Sequence, residues 1–179
     1  MQPALFVDWP AKRYLGRRYR RNDQSWQAGI HEAGHGVTAH LLEIPFTRVT
    51  IRPALGGIAG HVLLNLDEYL SDGSMIPINR RLNAVAMVLV AGSVTQEALG
   101  FMPNLRTLAP GSDYDKLDKL LIGEQAGKDA AIAIFEKGVR DLLASPGVGL
   151  MVYQLALALT KRITLDHDEA VRAMKGELL

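Results

Sequence analysis

The segment QAGIHEAGHGVTAHLL, residues 27–42, combines a helical apolar pattern with two histidines spaced one helical turn apart. Apolar residues recur every three or four positions along it, which is the spacing of one buried helix face. Ser25 is a suitable N-cap before this pattern, and Pro45 cannot continue a helix beyond it. We therefore predict a helix from Ser25 to about Leu42.

Within this helix the pentapeptide HEAGH fits the pattern HExxH. His31 and His35 are four residues apart, so they lie on one helix face and can bind a single zinc ion. Glu32 lies about 100° around the helix from His31, which lets its carboxylate reach a zinc-bound water without ligating the metal. The motif predicts zinc-dependent hydrolysis, with Glu32 as the general base that later protonates the leaving amine.

A third zinc ligand has to come from elsewhere in the chain. The extended pattern HExxHxxGxxH fails, because Thr38 and Leu41 occupy its Gly and His positions, and His40 lies about 180° around the helix from His31. The chain has no cysteine, so the ligand is a carboxylate or another histidine. The carboxylates that we consider are Glu97, Asp113, Asp115 and Asp118.

The rest of the sequence predicts a mainly α fold of the α+β kind, with one small β-sheet beside the HExxH helix. Two strands are expected from the β-branched and Gly-rich segments on either side of a turn, and residues 67–77 are expected to form a loop. The predicted strands are Thr47–Arg52 and Ile58–Leu64. The further predicted helices are Asn79–Leu99, Asp113–Ile122 with Ser112 as its N-cap, Ala126–Ala144, Val148–Thr160 and Asp166–Met174.

Four segments in order, HEAGHGVTAHLL, TRVTIRP with a Gly-rich turn, LVAGSVTQEALG and APGSDYDKL, resemble the protease domain of FtsH, the bacterial AAA-type zinc metalloprotease. The resemblance covers roughly residues 25–175 and implies a helical, zincin-like domain with one zinc ion per chain. In that family a Gly-Ala-x-x-Asp-Leu segment supplies the third zinc ligand. Counting four residues from Gly111 places Asp115 in that role.

The chain departs from that family at two points. Where the family usually has Gly-Arg-Ala-Ala-Glu-Glu, residues 92–97 read GSVTQE, so one acidic position has become Gln; we expect Glu97 to orient a zinc-bound histidine through a hydrogen bond. No GxxxxGK[ST] motif is present, since the nearest match, residues 123–129, is one residue short and lacks the hydroxyl residue. The resemblance therefore implies ATP-independent cleavage, or help from a separate ATPase partner.

Gly57 and Gly60 are expected to leave room for an extended peptide that pairs with the sheet edge. Residues 1–24 form a basic N-terminal arm ahead of the metallopeptidase-like domain, residues 25–179. The arm is interpreted as a solvated tail, and nucleic-acid binding as unlikely. No segment has the roughly 20 apolar residues of a membrane span and the start lacks a secretory pattern, so a cytoplasmic location is expected.

The leading hypothesis is a zinc metalloendopeptidase that cleaves unfolded or flexible substrates, with His31, His35 and Asp115 as ligands and Glu32 as the catalytic base. Assembly into a homo-oligomer is considered for it. One alternative is a non-enzymatic zinc-containing regulatory or binding module, although a structural zinc site has no use for Glu32. A second alternative is a different zincin, in which Glu97 ligates zinc and Asp115 caps a helix.

Overall fold

The HEAGH segment lies in the first described helix, at the centre of a mostly helical fold with one three-stranded antiparallel sheet. The structure is a computed structural model, and it describes residues 24–53, 59–71, 76–101, 111–121 and 127–178. Residues 1–23 of the predicted basic arm lie outside these residues, and Gln24, its last residue, begins the first helix. The described elements are α1 (Gln24–Leu41), β1 (Phe46–Pro53), β2 (Ala59–Leu64), α2 (Leu66–Ser71), α3 (Ile78–Ala98), α4 (Asp113–Leu120), α5 (Lys128–Leu143), α6 (Val148–Arg162), β3 (Thr164–Asp166) and α7 (His167–Met174).

Helix α1 is buried on almost every side, because it packs against α3, α6 and the sheet. Glycines allow these close approaches. A Cβ atom at Gly34 would lie 2.8 Å from the carbonyl oxygen of Ala91 on α3, and one at Gly29 would lie 3.1 Å from that of Ala156 on α6. The HExxH helix is therefore a core helix, which matches the small residues at the wild-card positions of its motif.

The sheet has the strand order β2-β1-β3, and β1 pairs antiparallel with both neighbours. Thr50 of β1 lies opposite His61 of β2 and Thr164 of β3. Val49 is fully buried and faces α1, where a Cβ at Gly36 would lie 3.3 Å from its side chain. The sheet thus lies against the HExxH helix, as the sequence predicts.

Helix α4 is fixed at its start and along its buried face. The Asp115 backbone N–H donates to Ser112 Oγ at 3.1 Å, so Ser112 is the predicted N-cap. Leu117 is fully buried, and the hydroxyl of Tyr114 donates to Glu136 Oε1 of α5 at 3.0 Å. The hydrogen bond to Glu136 joins α4 to α5, and α4 also packs against α3.

The structure confirms the predicted fold class and the main helices and strands within a few residues. Two local predictions are wrong. Helix α2 lies inside the segment that was expected to be a loop, and the short strand β3 was not expected. Among the described helices none alone is long and apolar enough to cross a membrane; α5 and α6 reach that length and hydropathy only when joined, and the chain bends by 91° between them.

Candidate metal centre

The two histidines of the HEAGH motif point at one another from consecutive turns of α1. His31 Nε2 and His35 Nε2 are 3.0 Å apart, and the ring centroids are 4.6 Å apart. The side chain of His35 is 6% exposed and that of His31 is 12% exposed. The predicted pair therefore forms, in a nearly buried position.

Asp113, the first residue of α4, completes a three-residue cluster. Its Oδ2 atom lies 3.1 Å from Nε2 of His31 and 3.1 Å from Nε2 of His35. Its other oxygen, Oδ1, lies 3.4 Å from Nζ of Lys116, which leaves Oδ2 directed at the histidines. Among the described residues these three side chains are the group whose ligating atoms are close enough to share a metal ion.

The remaining ring nitrogens of both histidines face hydrogen-bond acceptors. Nδ1 of His35 donates to the carbonyl oxygen of Val88 at 2.6 Å, and Nδ1 of His31 lies 3.2 Å from Gln96 Oε1. In a neutral imidazole only one nitrogen carries a proton, so these contacts place it on Nδ1 and leave a lone pair on each Nε2. When both rings are neutral, two nitrogen lone pairs and a carboxylate oxygen therefore converge on one point.

Three converging acceptor atoms need a positive charge among them, which either a proton on a ring nitrogen or a metal ion can supply. Two imidazole nitrogens and one carboxylate oxygen are a usual ligand set for catalytic zinc, which binds them at about 2.0–2.1 Å in tetrahedral geometry. Tetrahedral ligands at that distance are separated by roughly 3.3–3.4 Å. The observed separations of 3.0–3.1 Å are close to this value, so the residues fit a zinc ion.

The pKa shifts of the three clustered residues show that Asp113 and the histidines favour a positive charge between them. Burial alone would raise the pKa of Asp113, but the two histidines outweigh burial and hold that pKa well below its usual range. Burial alone would lower the pKa of His35, but Asp113 outweighs it and raises that pKa to about 9. Burial lowers the pKa of His31. The carboxylate thus stays ionised, and it can pair with a positive charge carried either by a protonated histidine or by a metal ion.

Glu32, the predicted catalytic residue, is 3% exposed and lies beside the cluster. Burial raises its pKa to about 8, against the opposing charge of His35. Its Oε2 atom is buried and has no hydrogen-bond partner among the described residues. A buried carboxylate oxygen without a partner is costly, so this atom is suited to bind a water or a ligand group in the site.

Gly60 of β2 lies directly against Glu32. Its φ of +100° is in the left-handed region, and a Cβ atom there would lie 2.8 Å from Glu32 Cγ and 2.8 Å from Oε1. Gly60 therefore lets the edge strand approach the carboxylate closely, and it is part of the site wall. Gly57, the other glycine predicted to contact substrate, lies outside the described residues.

The structure corrects the predicted position of the third carboxylate. Asp115 does not join the histidines; its Oδ2 accepts from the Gly111 backbone N–H at 2.8 Å and pairs with Lys119 Nζ at 2.8 Å. Two residues on a helix are about 200° apart, so Asp113 and Asp115 face opposite sides of α4. Asp118 pairs with Lys128 and is likewise outside the cluster.

Glu97 is also not where the sequence placed it. It projects from α3 toward solvent, with its side chain 54% exposed, and Arg140 Nη2 donates to it at 3.0 Å. The contact to His31 is made instead by Gln96, which is fully buried. Consecutive residues on a helix point about 100° apart, so Gln96 faces His31 while Glu97 faces solvent. The finding also removes Glu97 as a candidate zinc ligand.

Gly92 of α3 makes the room that the histidines occupy. A Cβ atom on it would lie 2.5 Å from His35 Nε2 and 2.6 Å from His31 Nε2. We expect Gly92→Ala to displace both rings and to lower zinc affinity by about 10–100-fold, as measured by competition with a chromogenic chelator. The matched control is Gly138→Ala on α5, where the added methyl meets only the flexible Met87 side chain. Unchanged zinc affinity in Gly92→Ala would contradict the assigned position of the metal.

Comparison of the chain with protein-family models finds no match, and comparison with the curated proteins finds none. The candidate site therefore rests on its own geometry: three converging ligand atoms, two histidines held by acceptors on α3, and a buried carboxylate beside them.

Proposed function

We propose that the protein is a zinc-dependent metallopeptidase that hydrolyses peptide bonds in unfolded or flexible substrates. The observation that carries the proposal is the convergence of His31 Nε2, His35 Nε2 and Asp113 Oδ2 within 3.0–3.1 Å of one another, beside the unpartnered Oε2 atom of Glu32. The same residues fit both the HExxH pattern and the ligand set of catalytic zinc.

In this proposal His31, His35 and Asp113 would hold a zinc ion through their Nε2 and Oδ2 atoms. A zinc ion held there would supply acidification of a water and polarisation of a carbonyl group. Glu32 accepts the proton of the attacking water and returns it to the leaving amine. Its burial keeps bulk water from competing for the carboxylate.

The sheet supports a peptide as the substrate. In the described order β2-β1-β3, strand β2 is an edge strand, and its Gly60 lies against Glu32. An extended peptide that pairs with this edge would bring its backbone past the catalytic carboxylate. Residues 1–179 contain no Walker A motif, and we propose that the cleavage step itself needs no ATP, whereas folded substrates would need a separate ATPase.

The test is to measure bound zinc and the hydrolysis of casein or a fluorogenic peptide in the same preparation. We expect one zinc ion per chain, loss of cleavage after treatment with a chelator, and recovery when zinc is restored. Bound zinc without cleavage of unfolded substrates would instead support the zinc-containing binding module. A protein that binds no metal would contradict both readings.

A further inference from the structure

Gln96 is the residue that connects the first histidine to the backbone of its own helix. It is fully buried on α3, its Oε1 lies 3.2 Å from Nδ1 of His31, and its Nε2 donates to the carbonyl oxygen of Gln27 at 3.1 Å. Gln27 and His31 are one turn apart on α1, so the amide bridges two points of the same helix.

The chemistry of these partners fixes the orientation of the amide. A backbone carbonyl oxygen can only accept, so the NH₂ group of Gln96 has to face Gln27. The amide oxygen then faces His31, whose Nδ1 has to carry the proton. The hydrogen-bond sequence from His31 through Gln96 to Gln27 therefore allows one tautomer of His31, the one with its lone pair on Nε2.

We propose that Gln96 is a positioning residue of the metal centre, which holds the Nε2 lone pair of His31 on the metal by accepting its Nδ1–H while it donates to Gln27. This inference rests on the proposed function, because it requires that the site holds a metal. Its effect is on ligand orientation and not on a reacting atom. An amide can satisfy both partners, whereas an ionised carboxylate could accept from His31 but could not donate to the Gln27 carbonyl oxygen.

Two variants separate hydrogen bonding from space filling. Gln96→Met keeps the length of the side chain and removes the strong acceptor, so we expect zinc affinity to fall by about 10–100-fold. Gln96→Glu keeps an acceptor for His31 and loses the donor to Gln27, so its affinity should lie between those of the wild type and Gln96→Met. A residue that only fills space would give the reverse order, because methionine is better tolerated than a carboxylate in a fully buried position.

The matched control is Glu97→Gln, on the next residue of the same helix. Glu97 is exposed and pairs with Arg140, so this variant should bind zinc as the wild type does. It also tests directly the role that the sequence assigned to Glu97.

Nitrogen-15 NMR of the zinc-loaded proteins gives a readout that does not depend on activity. In the wild type we expect a slowly exchanging Nδ1–H on both His31 and His35. Gln96→Met should lose or shift the His31 signal only, since His35 donates to the Val88 carbonyl and serves as an internal reference. A folded Gln96→Glu that lost the His31 signal would overturn the inference, and this measurement remains decisive if Gln96→Met does not fold.

The outcomes also distinguish this inference from the proposed function. A wild-type protein that binds no zinc would refute the proposed function and the inference with it. A wild-type protein that binds zinc through His31, His35 and Asp113, together with a Gln96→Met variant that binds it equally tightly, would refute only the role of Gln96.

Discussion

Replacement of Glu32 by glutamine is expected to lower kcat/KM for peptide hydrolysis by about 10²–10⁴-fold while the protein keeps its zinc. Glutamine has nearly the same shape but cannot accept the proton of the attacking water. Zinc binding should persist because Glu32 is not one of the three clustered ligands. The measurement is steady-state cleavage of a fluorogenic peptide by protein of known zinc content.

This variant should also be no less stable to heat than the wild type. Glu32 is 3% exposed, burial raises its pKa to about 8, and its Oε2 has no partner among the described residues, so the carboxylate is costly to bury. A neutral amide avoids the cost of a buried charge. Loss of activity together with an unchanged or higher Tm would therefore identify a catalytic role and exclude a structural one.

The control for Glu32→Gln is Glu43→Gln, which makes the same chemical change at an exposed residue just beyond α1. It should leave both zinc content and cleavage unchanged. If Glu32→Gln kept wild-type activity, the general base would have to be another group, and the proposed mechanism would be wrong.

The sequence predicts those parts of the fold that depend on local pattern. The apolar periodicity of α1 and the alternation of β1 are properties of single segments, and both elements form where expected. Helix α2 was not predicted because its sequence, LDEYLS, is polar. Tyr69 is the buried residue of this helix, and the backbone carbonyl oxygen of Tyr69 accepts a hydrogen bond from Arg81 of α3 at 2.7 Å. Strand β3 has three residues and exists through its pairing with β1, which no local pattern encodes.

The residues of the candidate site also separate into those that local sequence predicts and those that depend on how the helices pack. His31, Glu32 and His35 share one helix, so their spacing alone places them together. Which residues of α3 and α4 contact the histidines depends on the orientation of each helix about its own axis. A shift of one or two residues along the helix changes the side chain that faces the site. This is why Gln96 and Asp113 stand where Glu97 and Asp115 were predicted.

One signal in the sequence favours Asp113. The family segment Gly-Ala-x-x-Asp-Leu has an apolar residue after its aspartate. In this chain the apolar Tyr114 follows Asp113, whereas Lys116 follows Asp115. Tyr114 is 8% exposed in the structure, as a residue in that position should be, and Lys116 is exposed. The spacing of four residues from Gly111 favours Asp115, whereas the buried residue after the aspartate favours Asp113.

Substitution of Asp113 by alanine is expected to remove tight zinc binding, and with it cleavage, whereas Asp115→Ala should leave both unchanged. Asp113 Oδ2 lies 3.1 Å from both histidine nitrogens, so its loss leaves two neutral ligands and no compensating negative charge. The fall in zinc affinity should exceed the roughly 10–100-fold that loss of an outer hydrogen-bond partner costs. Isothermal titration with zinc measures both variants under the same conditions.

The pair of variants is closely matched, because both residues lie in the first turn of α4 and both substitutions remove one negative charge there. A general effect of charge on the helix N-terminus would therefore appear in both proteins. Asp115 contacts the Gly111 N–H and Lys119 and neither histidine, so its removal takes no contact away from the cluster. If Asp115→Ala lost zinc and Asp113→Ala kept it, α4 would have to be rotated by about 200° relative to its position here, and the ligand set implied by the family resemblance would be right.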